Sequence, residues 1–198
     1  MGSGCNIEFG WTQTIPYHAF DHCNSLTSVT IPASVTSIGE YAFYNCSSLT
    51  SVEIPEGVTS IERNTFCGCS GLTSVSIPAG VTSIDLNAFR ECSSLTSMTI
   101  PASVTTFGDS VFQDCSNLTS IEIPMGVTSI PQNTFYRCSS LVSVEIPDTV
   151  TSIKSGAFYD CSSLTDVTIP ASVKNIGGWA FSYCYNLENI YFLGEAPE

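Results

Sequence analysis

Apolar positions along this chain recur in a cycle of 23 residues. Phenylalanine stands at 20, 43, 66, 89, 112, 135, 158 and 181, and cysteine three places later at 23, 46, 69, 92, 115, 138, 161 and 184. Leucine follows each cysteine at the same interval, from Leu26 to Leu187. At one phase of the cycle an Ile-Pro pair recurs seven times, from Ile31-Pro32 to Ile169-Pro170, with no slip of register. A unit of this length cannot enclose a core alone. It must stack on its neighbours, so the pattern predicts a solenoid.

Each unit divides into three parts. Residues 26–31 (Leu-Thr-Ser-Val-Thr-Ile) are rich in β-branched residues and predict a short strand, which Pro32 stops. Val35 to Ile38 predict a second extended piece. Gly39 to Cys46 carry turn and helix formers and predict one helical or 3₁₀ turn. Leu26, Val29, Ile31, Val35, Ile38, Ala42, Phe43 and Cys46 then face inward, and their counterparts form columns of like residues. About eight rungs at a strand spacing of ~4.8 Å give a rod or arc roughly 40 Å long.

The units resemble the BspA-type leucine-rich repeats of bacterial and protist surface proteins. The resemblance is carried by Leu49-Thr50-Ser51-Val52-Glu53-Ile54-Pro55, Val58-Thr59-Ser60-Ile61 and Ala88-Phe89-Arg90-Glu91-Cys92, and by the closing Ile190 to Pro197. It implies an α/β solenoid, a right-handed superhelix with a parallel β-sheet on the concave face and short helical or 3₁₀ turns on the convex face. It further implies adhesion to matrix, host cells or other microbes, an extracellular or cell-surface location, and no catalytic residues. Residues 1–10 read as a leading tail beginning with a vector-like Met1-Gly2-Ser3-Gly4, and residues 11–198 as a single repeat domain.

Composition narrows the field. Five Lys and Arg oppose 18 Asp and Glu, a formal net charge of −13. So few cations cannot track a phosphate backbone, which excludes nucleic acid as a partner. No apolar run approaches the ~20 residues that span a bilayer. No nucleophile elbow, P-loop or His-Glu-x-x-His motif is present, so the reading is non-enzymatic, with no cofactor and no metal.

Two surfaces are candidates for binding a protein or glycan. Alternation turns Ser28 and Thr30 away from Val29 and Ile31, making a hydroxyl-rich strand face with acidic patches. Its candidate contacts are Thr30, Glu53, Ser74, Ser76, Thr99, Glu122, Glu145 and Thr168. The other surface is the outer wall, where identity varies from rung to rung. It offers Tyr41, Tyr44, Tyr136, Tyr159 and Trp179, aromatics of the kind that anchor interfaces. The alternative to a binder is a structural spacer or an engineered consensus scaffold with no ligand.

The eight in-phase cysteines predict a column of reduced, buried thiols, because side chains pointing the same way meet disulfide geometry poorly. Cys67 breaks the phase at a variable outer position and is the candidate for an exposed, reactive thiol. Cys5 lies in the tail. His18, His22 and Cys23 invite a zinc reading, but the histidines take outer phases and Cys23 an inward one, which predicts two solvated histidines instead. Trp11 and Phe192 are read as thin caps. The predicted state is a monomer with some tendency to associate end to end.

Overall fold

The computed structural model describes residues 13–194. It is a parallel β-solenoid in which a typical rung presents two short strands and a turn segment. The first strand type comprises β3 (Ser51–Glu53), β5 (Ser74–Ser76), β7 (Ser97–Met98), β9 (Ser120–Glu122), β11 (Ser143–Glu145), β13 (Asp166–Ile169) and β15 (Asn189–Phe192). The second comprises β1 (Thr14–Ile15), β2 (Ser37–Ile38), β4 (Ser60–Ile61), β6 (Ser83–Ile84), β8 (Thr106–Phe107), β10 (Ser129–Ile130), β12 (Ser152–Ile153) and β14 (Asn175–Ile176). All pairings are parallel and link residues one repeat apart, as in Glu122 with Glu145 and Ile84 with Phe107. In the first rung the predicted strand at 26–31 shrinks to a single bridge between Ser28 and Ser51.

The expected helical or 3₁₀ turns are not found: among the described residues this segment is a run of consecutive β-turns. In the rung of Phe43, the amides of Ala42, Tyr44 and Cys46 bond back to the carbonyls of Gly39, Tyr41 and Phe43. The intervening amides of Tyr41, Phe43 and Asn45 instead donate to Arg63, Thr65 and Cys67 of the next rung, at 3.1, 2.9 and 2.7 Å. Tyr41 and Asn45 have φ of 59° and 55°, the mark of type II turns and incompatible with a right-handed helix. A helical turn would spend its amides internally. The turn ladder keeps half of them for stacking.

These two positive-φ positions recur in every rung. Four of the sixteen are Asn (Asn45, Asn64, Asn87 and Asn133), two are Gly (Gly68 and Gly156) and two are Asp (Asp114 and Asp160), residues that tolerate this backbone best. Trp179 also holds a place in the Tyr41 column, and Glu91, Arg137 and Tyr183 hold places in the Asn45 column. The variation at these outer positions is therefore not free of backbone constraint.

The core is a set of columns. Phe43, Phe66, Phe89, Phe112, Phe135 and Phe158 are fully buried, and their rings stack on one another at 5.2–5.9 Å. Each buried ring contributes about 1.5–3 kcal/mol by leaving water, and each stacked pair about 0.5–1.5 kcal/mol more. Threonines form a second device. Thr50 and Thr73 each direct both amide and hydroxyl at the carbonyl one repeat earlier, with Oγ1 distances of 3.1 and 3.0 Å. Their recurrence therefore satisfies backbone as well as favouring strand.

Burial fades in the last rung, where Phe181, Cys184 and Leu187 are only partly covered and β15 is exposed throughout. Phe192 is half exposed there. Trp11, the other predicted cap, the leading tail and Cys5 lie outside the described residues.

Glu91 tests the backbone constraint, since its φ of 62° suits glycine and opposes a β-branched side chain. Glu91→Gly is expected to hold or raise stability, and Glu91→Val to lower it by about 1–2 kcal/mol. Urea melts of the three proteins decide this, and coincident midpoints would refute it.

Candidate functional site

All eight strand-face candidates are exposed: Thr30, Glu53, Ser74, Ser76, Thr99, Glu122, Glu145 and Thr168. The in-register pairing sets Glu53 beside Ser76 and Glu122 beside Glu145. Adjacent like charges on one face destabilise a sheet, and no cation on that face relieves them. The five cations, Arg63, Arg90, Arg137, Lys154 and Lys174, all fall in other phases of the repeat. Thr30, Glu53 and Ser76 meet in a hollow of about 440 Å³, walled by Ile54, Pro55 and Pro78 and joined by Glu56. Ser74, Thr99, Glu122, Glu145 and Thr168 lie outside it.

The outer-wall candidates divide into two clusters at opposite ends of the solenoid. Near the first rung, Tyr41 stacks on His18 with ring centres 4.5 Å apart, and Tyr44 lies 5.5 Å from Tyr41. His18 Nδ1 is 2.6 Å from Asp21 Oδ2, and His22 hydrogen-bonds the other oxygen of the same carboxylate. Partial burial would raise the Asp21 pKa, but the hydrogen bonds and charge of the two imidazoles outweigh it and hold the carboxyl below its ordinary value. Neither histidine is buried, and no group of three or more His, Cys, Asp or Glu among the described residues is placed to hold a metal. At the far end, Tyr136 and Tyr159 lie parallel at 4.6 Å, Tyr183 continues the row at 4.9 Å, and Trp179 is 74% exposed.

The cysteines carry a device that spacing alone did not reveal. From Cys46 to Cys184 each thiol donates to the carbonyl of the phenylalanine 26 residues earlier, at 3.1–3.2 Å. All nine described cysteines are free. Burial pushes the Cys46 thiol up to about 12, and the charge its neighbour Cys23 would carry adds to this. Cys92, Cys138 and Cys161 are driven well above the ordinary range for the same reason. They are structural groups held in the protonated form.

Two expectations are corrected. Cys67 is buried, not exposed, at 6% accessibility, and burial followed by the Glu91 charge pushes its thiol to about 12. Its short side chain stands in a column between the long Tyr44 and Arg90 and is shaded by them. Cys23, read as inward, is exposed. It is the first cysteine of its column among the described residues, and its thiol has no carbonyl acceptor there.

A family model described as a BspA type leucine-rich repeat region, in six copies, matches residues 13–141 and 105–196. Among solved structures the chain is similar to a leucine-rich repeat protein from Bacteroides ovatus. That match has 28% identity and a TM-score of 0.69, and covers 91% of this chain and 59% of that one. It is similar also to the T. pallidum leucine-rich repeat protein, at 30% identity and TM-score 0.75, over 82% of this chain and 78% of that one. A third is a leucine-rich cell surface protein of Faecalibacterium prausnitzii, at 26% identity and TM-score 0.51, over 93% and 77%. None of the curated proteins matches the sequence. No described helix is long and apolar enough to cross a membrane.

Maleimide labelling of the native protein, read by peptide mass mapping, is expected to modify Cys23 far ahead of Cys46, Cys67, Cys69, Cys92, Cys115, Cys138 and Cys161. Fast labelling of Cys67 would contradict its burial. The same thiols set an alkaline limit. Unfolded cysteines ionise near pH ~8.5 while the folded ones stay protonated, so the native state binds more protons as pH rises. Stability is therefore full below that pH and falls between roughly 9 and 12, seen as a urea midpoint lower at pH ~10 than at pH ~8.

Proposed function

This chain belongs to the BspA-type leucine-rich repeat family, and we propose that it is a non-enzymatic adhesion module that holds a host or matrix partner across its strand face. The observation that carries this reading is the hollow where Thr30, Glu53 and Ser76 meet, on a face that bears unneutralised carboxylates and no cation. Such a face recruits a partner that brings cations, so the favoured ligand is a polypeptide with a basic segment laid along the rungs. A uniform strip of short polar side chains offers breadth rather than a pocket, which suits an extended ligand.

The location proposed is extracellular or at the cell surface. The cell-surface description of the Faecalibacterium relative supports it, and so does the family. The chain spans about 59% of the length of the Bacteroides ovatus protein.

An array of extracellular-matrix proteins and glycans, probed with the purified chain, tests the reading. Binding to basic matrix proteins that weakens steeply with salt, and is lost in the Glu53→Arg/Ser76→Arg double variant, is the expected result. Binding that survives this variant would move the site off the strand face. No binding to any array member would favour the spacer reading.

A further inference from the structure

The turn wall carries an aromatic slot that the strand-face reading does not use. Its floor is Gly156, which has φ of 64° and no side chain. The neighbouring rungs fill the same phase with Asn133 on one side and Trp179 on the other. The amide of Asn133 leans into the space that a Gly156 side chain would occupy, and the edge of the Tyr136 ring lies 3.7 Å from it. Tyr136, Tyr159 and Tyr183 close one flank as a row, and the whole forms a groove of about 480 Å³. That is within the ~300–1,000 Å³ range of small-ligand sites.

Three features point to a ligand. Trp179 is 74% exposed on a backbone of φ 60°, a conformation costly for a bulky side chain and not repaid by burial. The side-chain amides of Gln132 and Asn133, both lining the groove, have no hydrogen-bond partner among the described residues. No charged side chain lines the groove, and Arg137, next to the lining Tyr136, is engaged with Asp160 at 3.9 Å and with the Tyr136 ring at 5.3 Å.

We propose that this slot binds a neutral pyranose, a sugar unit of an uncharged glycan. The C–H face of a saturated ring packs on aromatic faces such as the Trp179 indole and the tyrosine row, at van der Waals separation of about 4 Å. Its hydroxyls, each both donor and acceptor, match the mixed donor–acceptor amides of Gln132 and Asn133. The phenol of Tyr159 stays neutral and offers its oxygen as an acceptor; partial desolvation, then the charges that Tyr183 and Tyr136 would carry, and its hydrogen bond to Tyr183 keep it above its ordinary pKa. A chain of net charge −13 repels an anionic sugar, which disfavours it against a neutral one.

The test is saturation-transfer NMR with maltotriose, mannotriose, chitotriose and lactose at roughly 10 mM, and sialyllactose as the charged comparison, where a Kd of ~1 mM approaches saturation. At least one neutral saccharide is expected to bind, and sialyllactose more weakly than lactose. Trp179→Ala should weaken binding about tenfold or more. Gly156→Asn refills the slot with the residue its own column uses at this backbone angle in Asn64, Asn87 and Asn133, so it should abolish binding in a protein that still folds, its melting temperature lowered only slightly as the Asn133 amide swings aside. Glu122→Arg, on the strand face, should leave saccharide binding intact, which separates this site from the adhesive face. Silence from every neutral saccharide, binding unmoved by Trp179→Ala and Gly156→Asn, or preference for sialyllactose would each overturn the proposal.

Discussion

The structure depends on each rung passing its spare backbone groups to the next rung at a constant offset. Strands of two to four residues have little stability alone, and a turn segment with half its amides pointing outward has none. Both become stable once a neighbour one repeat away offers carbonyls in register. The Phe43, Tyr41 and Asn45 amides that meet the next rung on the turn wall do what strand pairing does on the other two faces. A change in rung length would break all three ladders together, which explains why the period of 23 never slips.

Side chains reinforce the same axis. The phenylalanine rings stack along it, the threonine hydroxyls hydrogen-bond along it, and the thiols donate along it to phenylalanine carbonyls. Each column lets one residue type solve the same local problem in every rung. Cysteine fits its column because the thiol is small and apolar enough to bury, yet can still donate a weak hydrogen bond. The ends of the columns show the dependence from the other side. Cys23 has no thiol acceptor among the described residues and is exposed, and Phe181, Cys184 and Leu187 near the other end are only partly covered.

Because packing is settled along the axis, the side chains that point away from it are available for recognition. The two surfaces differ in character. The strand face is short, polar, acidic and nearly uniform, suited to a long partner that carries positive charge. The turn wall is uneven, and where Gly156 removes a side chain between Asn133 and Trp179 it gathers aromatics and idle amides in one place. Variation between rungs thus marks where a solenoid can specialise without disturbing its core.

The periodic apolar positions determined the rung length, the strands, the inward residues and the exposure of all eight strand-face candidates, because those features follow from a pattern any single unit displays. The composition of the outer segment suits a helical or 3₁₀ turn as well as a run of β-turns, and the recurring Asn, Gly and Asp at the equivalents of 41 and 45 are the signal of positive φ that separates them. Cys67 looked exposed because its phase is variable, yet a short side chain between Tyr44 and Arg90 is covered by its neighbours. The thiol-to-carbonyl ladder and the slot over Gly156 were decided only by tertiary structure. Both are relations between residues 23 or more positions apart, and such relations acquire a distance and a direction only when the rungs are stacked.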